Sequence, residues 1–282
     1  MSNPAFTHSG AFNGKSQFRA PGYTETPYNP YGPYGTTASA AQLSAMYAAP
    51  SASPVDTGRM TYDDVLIKSV GMLAVMLVGA TVGWLFTPAF PAMFYLCGII
   101  GFVLGFVNAL KREPSPVLIT VYAICQGVFV GGVSMVYNSV WSGIVMQAVL
   151  ATMAVFGITL ALFASGKVRA SGKFSRIVSI GLLAYLLYML VNATLVWTGI
   201  NQSMFGLDTS IEVFGIPLGA IIGPIVILMG AYCLVESFDF IKRGVESGAP
   251  AKYAWTAAFG LLLDLIFLYI QILRWLAILQ RN

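Results

Sequence analysis

Long apolar blocks separated by short polar joints fill the chain from Leu66 onward. Seven blocks stand out, at 66–86, 92–110, 117–136, 141–163, 174–198, 217–237 and 254–280. Crossing the hydrocarbon core of a bilayer takes about 20 residues of helix, and each block has roughly that length. A lone segment surrounded by lipid can satisfy its own backbone only as a helix. The pattern therefore predicts an all-α integral membrane protein, a seven-transmembrane helical bundle spanning residues 61–282.

Residues 1–60 follow no such pattern. Pro, Gly and Tyr dominate from Ala20 to Gly35, and an Ala/Ser-rich stretch follows to Pro54. Such a composition cannot bury enough apolar surface to offset the entropy of ordering, which predicts a disordered, tethered tail. No charged start leads into an apolar core near Met1, so the tail does not read as a signal peptide.

The joints carry a charge code. Lys111 and Arg112 lie between spans two and three; Lys167, Arg169, Lys173 and Arg176 between four and five; Lys242, Arg243 and Lys252 between six and seven. The other three joints hold no Lys or Arg, and the fifth holds only the acids Asp208 and Glu212. Basic loops stay in the cytoplasm, which predicts a cytoplasmic N-terminal tail and an external C-terminus.

Composition narrows the function. Hydrophobic residues make up 57% of the chain and charged residues 9%, with a net charge of +4. The basic residues are spread over loops, whereas nucleic-acid binding gathers them on one face, so no nucleic acid is expected as a partner. Cys97, Cys125 and Cys233 fall inside apolar blocks as small packing residues, and the single histidine, His8, lies in the tail, so no cofactor or Cys/His metal centre is predicted. Small residues spaced by four, Gly101 and Gly105, Gly127 and Gly131, Gly219 and Gly223, are sites of close helix approach. Pro224 removes a backbone hydrogen bond inside span six, marking Gly223–Pro224 as a hinge.

One residue points to chemistry. Asp264 stands ten residues into span seven with apolar neighbours on both sides, a depth of roughly 15 Å along the helix. A carboxylate there is costly and marks a functional site. Glu236 and Asp239 end span six three residues apart, on one helix face. If Asp239 and Asp264 meet, the two carboxyls are expected to share a proton, and their oxygens suit a hard cation such as calcium. Arg274, near the far end of span seven, is expected to snorkel to the interface.

The run Asp264-Leu-Ile-Phe-Leu-Tyr-Ile-Gln-Ile-Leu-Arg274 resembles the last-span signature of the Bax inhibitor-1 (transmembrane Bax inhibitor motif) family. Ser237-Phe-Asp239-Phe-Ile-Lys242 resembles that family's aromatic-Asp motif closing the preceding span, and Gly244–Pro250 before an aromatic-rich last helix resembles its bacterial branch with a long tail. The resemblance covers about residues 60–282. It implies a multi-pass protein of the bacterial plasma membrane, a pH-sensitive calcium leak channel with Asp239 and Asp264 as ion path and sensor, and calcium and protons as its ligands within the lipid bilayer. It also implies that Lys111 or Arg112 engages the pair; Glu236, on the face of Asp239, and Arg274 are further candidates as accessories. Gln126 and Gln271 occupy places where the closest bacterial relatives would carry acids.

Two other classes remain in view. A non-transporting regulator, acting on a membrane-protein partner such as a protease, would share the same sequence features. An intramembrane aspartyl protease would need Gly-x-Gly-Asp, where Leu262-Leu263-Asp264 stands. A rhomboid-like serine protease would need a membrane histidine to activate its serine. No enzyme and no catalytic residue are predicted.

Overall fold

The computed structural model describes residues 58–201, 203 and 205–281. Seven long helices are apolar and long enough to cross a membrane: α1 (Tyr62–Phe86), α2 (Pro91–Leu110), α3 (Pro116–Val140), α4 (Ile144–Ala164), α5 (Gly172–Trp197), α7 (Leu218–Glu246) and α8 (Ala254–Gln280). Between α5 and α7 lie a short helix, α6 (Leu207–Ser210), and a two-stranded antiparallel ribbon of β1 (Glu212–Val213) and β2 (Ile216–Pro217), in which Glu212 pairs with Pro217. A 3₁₀ turn over Ala251–Tyr253 leads into α8. The expected seven-span all-α membrane fold is thus present.

The ends of the helices follow local chemistry. Thr61 caps α1 by accepting from the Asp64 N–H, and Asp63 and Asp64 fill its first turn. Pro91 and Pro116 open α2 and α3, where a missing N–H costs nothing. α7 runs to Glu246, well past the apolar block that ended at 237. Its charged extension is stitched by the i,i+4 pairs Asp239–Arg243 (2.7 Å) and Lys242–Glu246 (3.6 Å).

The expected disordered tail falls outside the described residues up to 57. Arg59 and Met60, assigned to that tail by composition, belong to the bundle instead. Met60 N–H donates to the Ala249 carbonyl at 2.7 Å, Ala251 N–H donates to the Gly58 carbonyl at 2.9 Å, and the Met60 side chain is buried.

α1 and α3 pack backbone to backbone. A Cβ on Gly83 would fall 2.1 Å from the Val128 carbonyl oxygen, and one on Gly131 would fall 2.0 Å from that of Ala80. Gly127 and Gly131 form one side of this seam, and Gly79 and Gly83, also four apart, form the other.

α8 is the central helix. In its apolar window 67% of residues are buried, against 11% in α5. It touches α1, α3, α4 and α7. Ala254, Ala257 and Ala258 are fully buried at its start, where small side chains let neighbouring helices close around it. Whatever α8 carries is therefore enclosed by protein.

Candidate functional site

Asp264 lies on α8 with 8% of its surface exposed. Its carboxylate accepts a hydrogen bond from the Ser237 hydroxyl of α7, and Ser237 is fully buried. Beside Ser237 on the chain, Glu236 is 2% exposed, and its Oε1 has no hydrogen-bond partner among the described residues. Glu236 is the carboxylate whose charge reaches Asp264.

The direct Asp239–Asp264 contact expected from the sequence is not formed. Asp239 takes an ion pair with Arg243 at 2.7 Å. Helical phase explains the separation: two residues turn a helix by roughly 200°, so when Ser237 faces Asp264, Asp239 faces away. Glu236 and Asp239, three apart, do share a side of α7, but the α7 residue joined to Asp264 is the serine between them. Among the described residues no three His, Cys, Asp or Glu side chains come together as a metal site, whereas calcium takes six to eight oxygens.

Lys111 and Arg112 stand exposed just past the end of α2, while among the described residues Asp239 is paired with Arg243 and Asp264 with Ser237. The cross-loop contact on this side joins Glu113 to Lys252, Nζ donating to Oε1 at 2.8 Å. Lys252 holds the Glu113 carboxyl below the usual carboxylate range, first by that hydrogen bond and then by its charge.

Arg274 does not snorkel. It turns inward and ion-pairs with Asp208 of α6, the two side chains being 14% and 4% exposed. Tyr188 of α5 also donates to Asp208. The loop bearing Asp208 is anchored by Asn192, which donates to the Phe205 carbonyl at 3.0 Å and accepts from Leu207 N–H at 2.8 Å. Lipid offers no counter-ion at that depth, and a buried acid on a folded-back loop does. Asp208 is the site residue that sequence reasoning passed over. Its signal was an acid in a loop lacking any base, opposite the arginine of span seven.

Gln271 lies between the two polar ends and accepts from the Tyr185 hydroxyl at 2.8 Å. Seven residues bring a helix back to within roughly 20° of its starting direction, so Asp264 and Gln271 share a side of α8. Arg274 lies roughly 15 Å of helix rise beyond Asp264 and about 80° round the helix from it. A cleft lined by Tyr185, Asp208, Gly223, Gln271, Arg274 and Trp275 lies at its outer end. Gln126 packs instead against Gly101 of α2, and its Oε1 has no hydrogen-bond partner among the described residues.

The Gly223–Pro224 hinge is pinned rather than free. Helix α7 continues through Pro224. Proline lacks the N–H that would bond the carbonyl four residues back, and Trp275 Nε1 donates to that Ala220 carbonyl at 3.1 Å. The indole also abuts Gly223, where a Cβ would come within 2.2 Å of Trp275 Cδ1.

The arrangement can hold one titratable carboxyl deep in the bundle, and at the outer end an ion pair that fastens a loop across it. Residues 3–281 match the family described as Bax inhibitor 1 like, a wider span than the end motifs cover. No curated protein matches the chain.

Proposed function

The chain belongs to the Bax inhibitor 1 like family, and from that membership and the buried carboxyl of α8 we propose that it is a pH-sensitive cation leak channel with calcium as its permeant ion. The observation that carries this reading is Asp264, enclosed by protein and hydrogen-bonded to a serine of the neighbouring span, with no cation paired to it among the described residues. With its proton on, Asp264 adds no charge to the polar line along α8. With its proton off, it and Glu236 bring negative charge to one level of the bundle, which draws a cation in and loosens the contact of α7 with α8.

Asp239 acts from outside this centre, through Arg243 and the cytoplasmic end of α7, and Gly223–Pro224 bends only when Trp275 lets go. The outer loop, held by Asp208 and Arg274, closes the far end. In this reading, which the basic loops support, the Glu113–Lys252 side faces the cytoplasm of a bacterial cell, with the N-terminus inside and the C-terminus outside. Calcium flux into liposomes bearing the purified full chain, measured across pH, tests the reading. Flux absent at every pH contradicts it.

A further inference from the structure

The short stretch ahead of the first span is fastened to the turn between the last two. Met60 N–H donates to the Ala249 carbonyl at 2.7 Å, and Ala251 N–H donates to the Gly58 carbonyl at 2.9 Å. Between these bonds Arg59 pairs antiparallel with Pro250. The result is one rung of sheet, an extended piece of chain added to an edge. Pro250 fits the middle of the rung because there the residue's own N–H points away from the partner strand, so a missing donor costs nothing.

Side chains tighten the rung. Arg59 Cδ lies against the turn, where a Cβ on Gly248 would come within 3.4 Å of it. Met60 is 1% exposed and belongs to a buried cluster with Leu234 and Phe238 of α7 and Ala257 and Leu268 of α8. Phe238 is the chain neighbour of Ser237, and Leu268 stands four residues beyond Asp264 on the same side of α8. One apolar cluster therefore runs from the rung to the level of the Ser237–Asp264 hydrogen bond.

The turn itself has little internal support. α7 ends at Glu246, Gly248 takes a left-handed φ of +69°, and a 3₁₀ turn leads on to α8. Two lysines also reach it: Lys68 of α1 donates to the Ala251 carbonyl at 3.2 Å, and Lys252 pairs with Glu113 in the open. Both are long, flexible cations, and an exposed pair contributes little. The rung and the seated Met60 are the firm attachment.

We propose that residues 58–60 are a strap that sets how closely α7 and α8 stand together over Asp264. Seated, the strap holds the turn and shuts the two helices on their shared cluster. Unseated, it empties the Met60 pocket and lets the helices part toward the Ser237–Asp264 contact. This goes beyond the channel reading and does not depend on it.

Hydrogen exchange of the full chain in lipid nanodiscs, read by mass spectrometry over residues 234–268, tests the strap. Met60→Ala empties the pocket and should raise exchange there by at least about tenfold. Ala251→Pro leaves every apolar side chain of the cluster in place and deletes one strap hydrogen bond. Position 251 opens the 3₁₀ turn, where proline is tolerated. It should raise exchange over the same residues by about threefold or more, and it decides the matter if Met60→Ala does not fold. Gly131→Ala strains the α1–α3 seam instead, and should leave residues 234–268 near the wild type. Unchanged exchange over those residues in either strap variant, or an equal rise in Gly131→Ala, overturns the strap. Exchange is read without ion flux, so loss of the channel reading and loss of the strap are separate results.

Discussion

Trp275 Nε1 donates to the carbonyl that Pro224 leaves open at Ala220, over 3.1 Å. A proline in the sixth span and a tryptophan in the seventh are thus one device: the first frees an acceptor and the second fills it. Trp275→Phe should lower stability in detergent by about 1–3 kcal/mol, the cost of a half-buried acceptor left unpaired together with lost packing. Pro224→Ala restores the N–H that Ala220 lacks, so Trp275→Phe should cost less in that background. Equal costs in the two backgrounds, read by a double-mutant cycle of unfolding, would contradict the coupling.

The α1–α3 seam sets a second expectation. A methyl on Gly131 meets backbone, the Ala80 carbonyl at 2.0 Å, whereas one on Gly105 meets the Tyr122 ring at 3.1 Å. Gly131→Ala should destabilise the bundle by about 3 kcal/mol or more, since two helices must part, and Gly105→Ala by about 1 kcal/mol or less. Thermal melts of the two variants side by side check the order.

Asp208 is buried and Arg274 is half-buried against it. Asp208→Asn should cost about 3–5 kcal/mol, because it strands a half-buried guanidinium. Replacing the pair with Asp208→Leu and Arg274→Met should recover most of that loss. A double variant no more stable than Asp208→Asn alone would show that the loop, and not the stranded charge, sets the cost.

How much of this was legible depended on distance along the chain. The seven spans could be read because hydropathy acts within one segment. The depth of Asp264 could be read for the same reason. Its partner could not: Asp239 is the more prominent acid, but helical phase gives the contact to Ser237. Arg274 was misread because its counter-ion sits 66 residues away on a loop that folds back into the bundle. The extension of α7 to Glu246 escaped hydropathy because its charged residues support it by pairing rather than by burial.

The Glu113–Lys252 contact gives a signed pH effect. Lys252 lowers the Glu113 carboxyl below its ordinary value. A carboxyl so lowered adds stability above its unfolded value, and that stability is lost as pH falls through the folded one. Both side chains are largely exposed, at 71% and 50%, so the effect is small and is screened by salt. On acidification through the carboxylate range the wild type should lose slightly more melting temperature than Glu113→Gln, at low salt only. Parallel curves for the two proteins at low salt would contradict the assignment.

The central claim is that Asp264 is the titrating group of a cation path. Calcium flux into liposomes containing the full chain, followed from about pH 6 to 8, the range in which functional carboxyls are tuned to act, tests it most directly. The account predicts that wild-type flux rises as protons leave and that Asp264→Asn gives a flat profile. An Asp264→Asn protein that keeps the wild-type pH profile would contradict it.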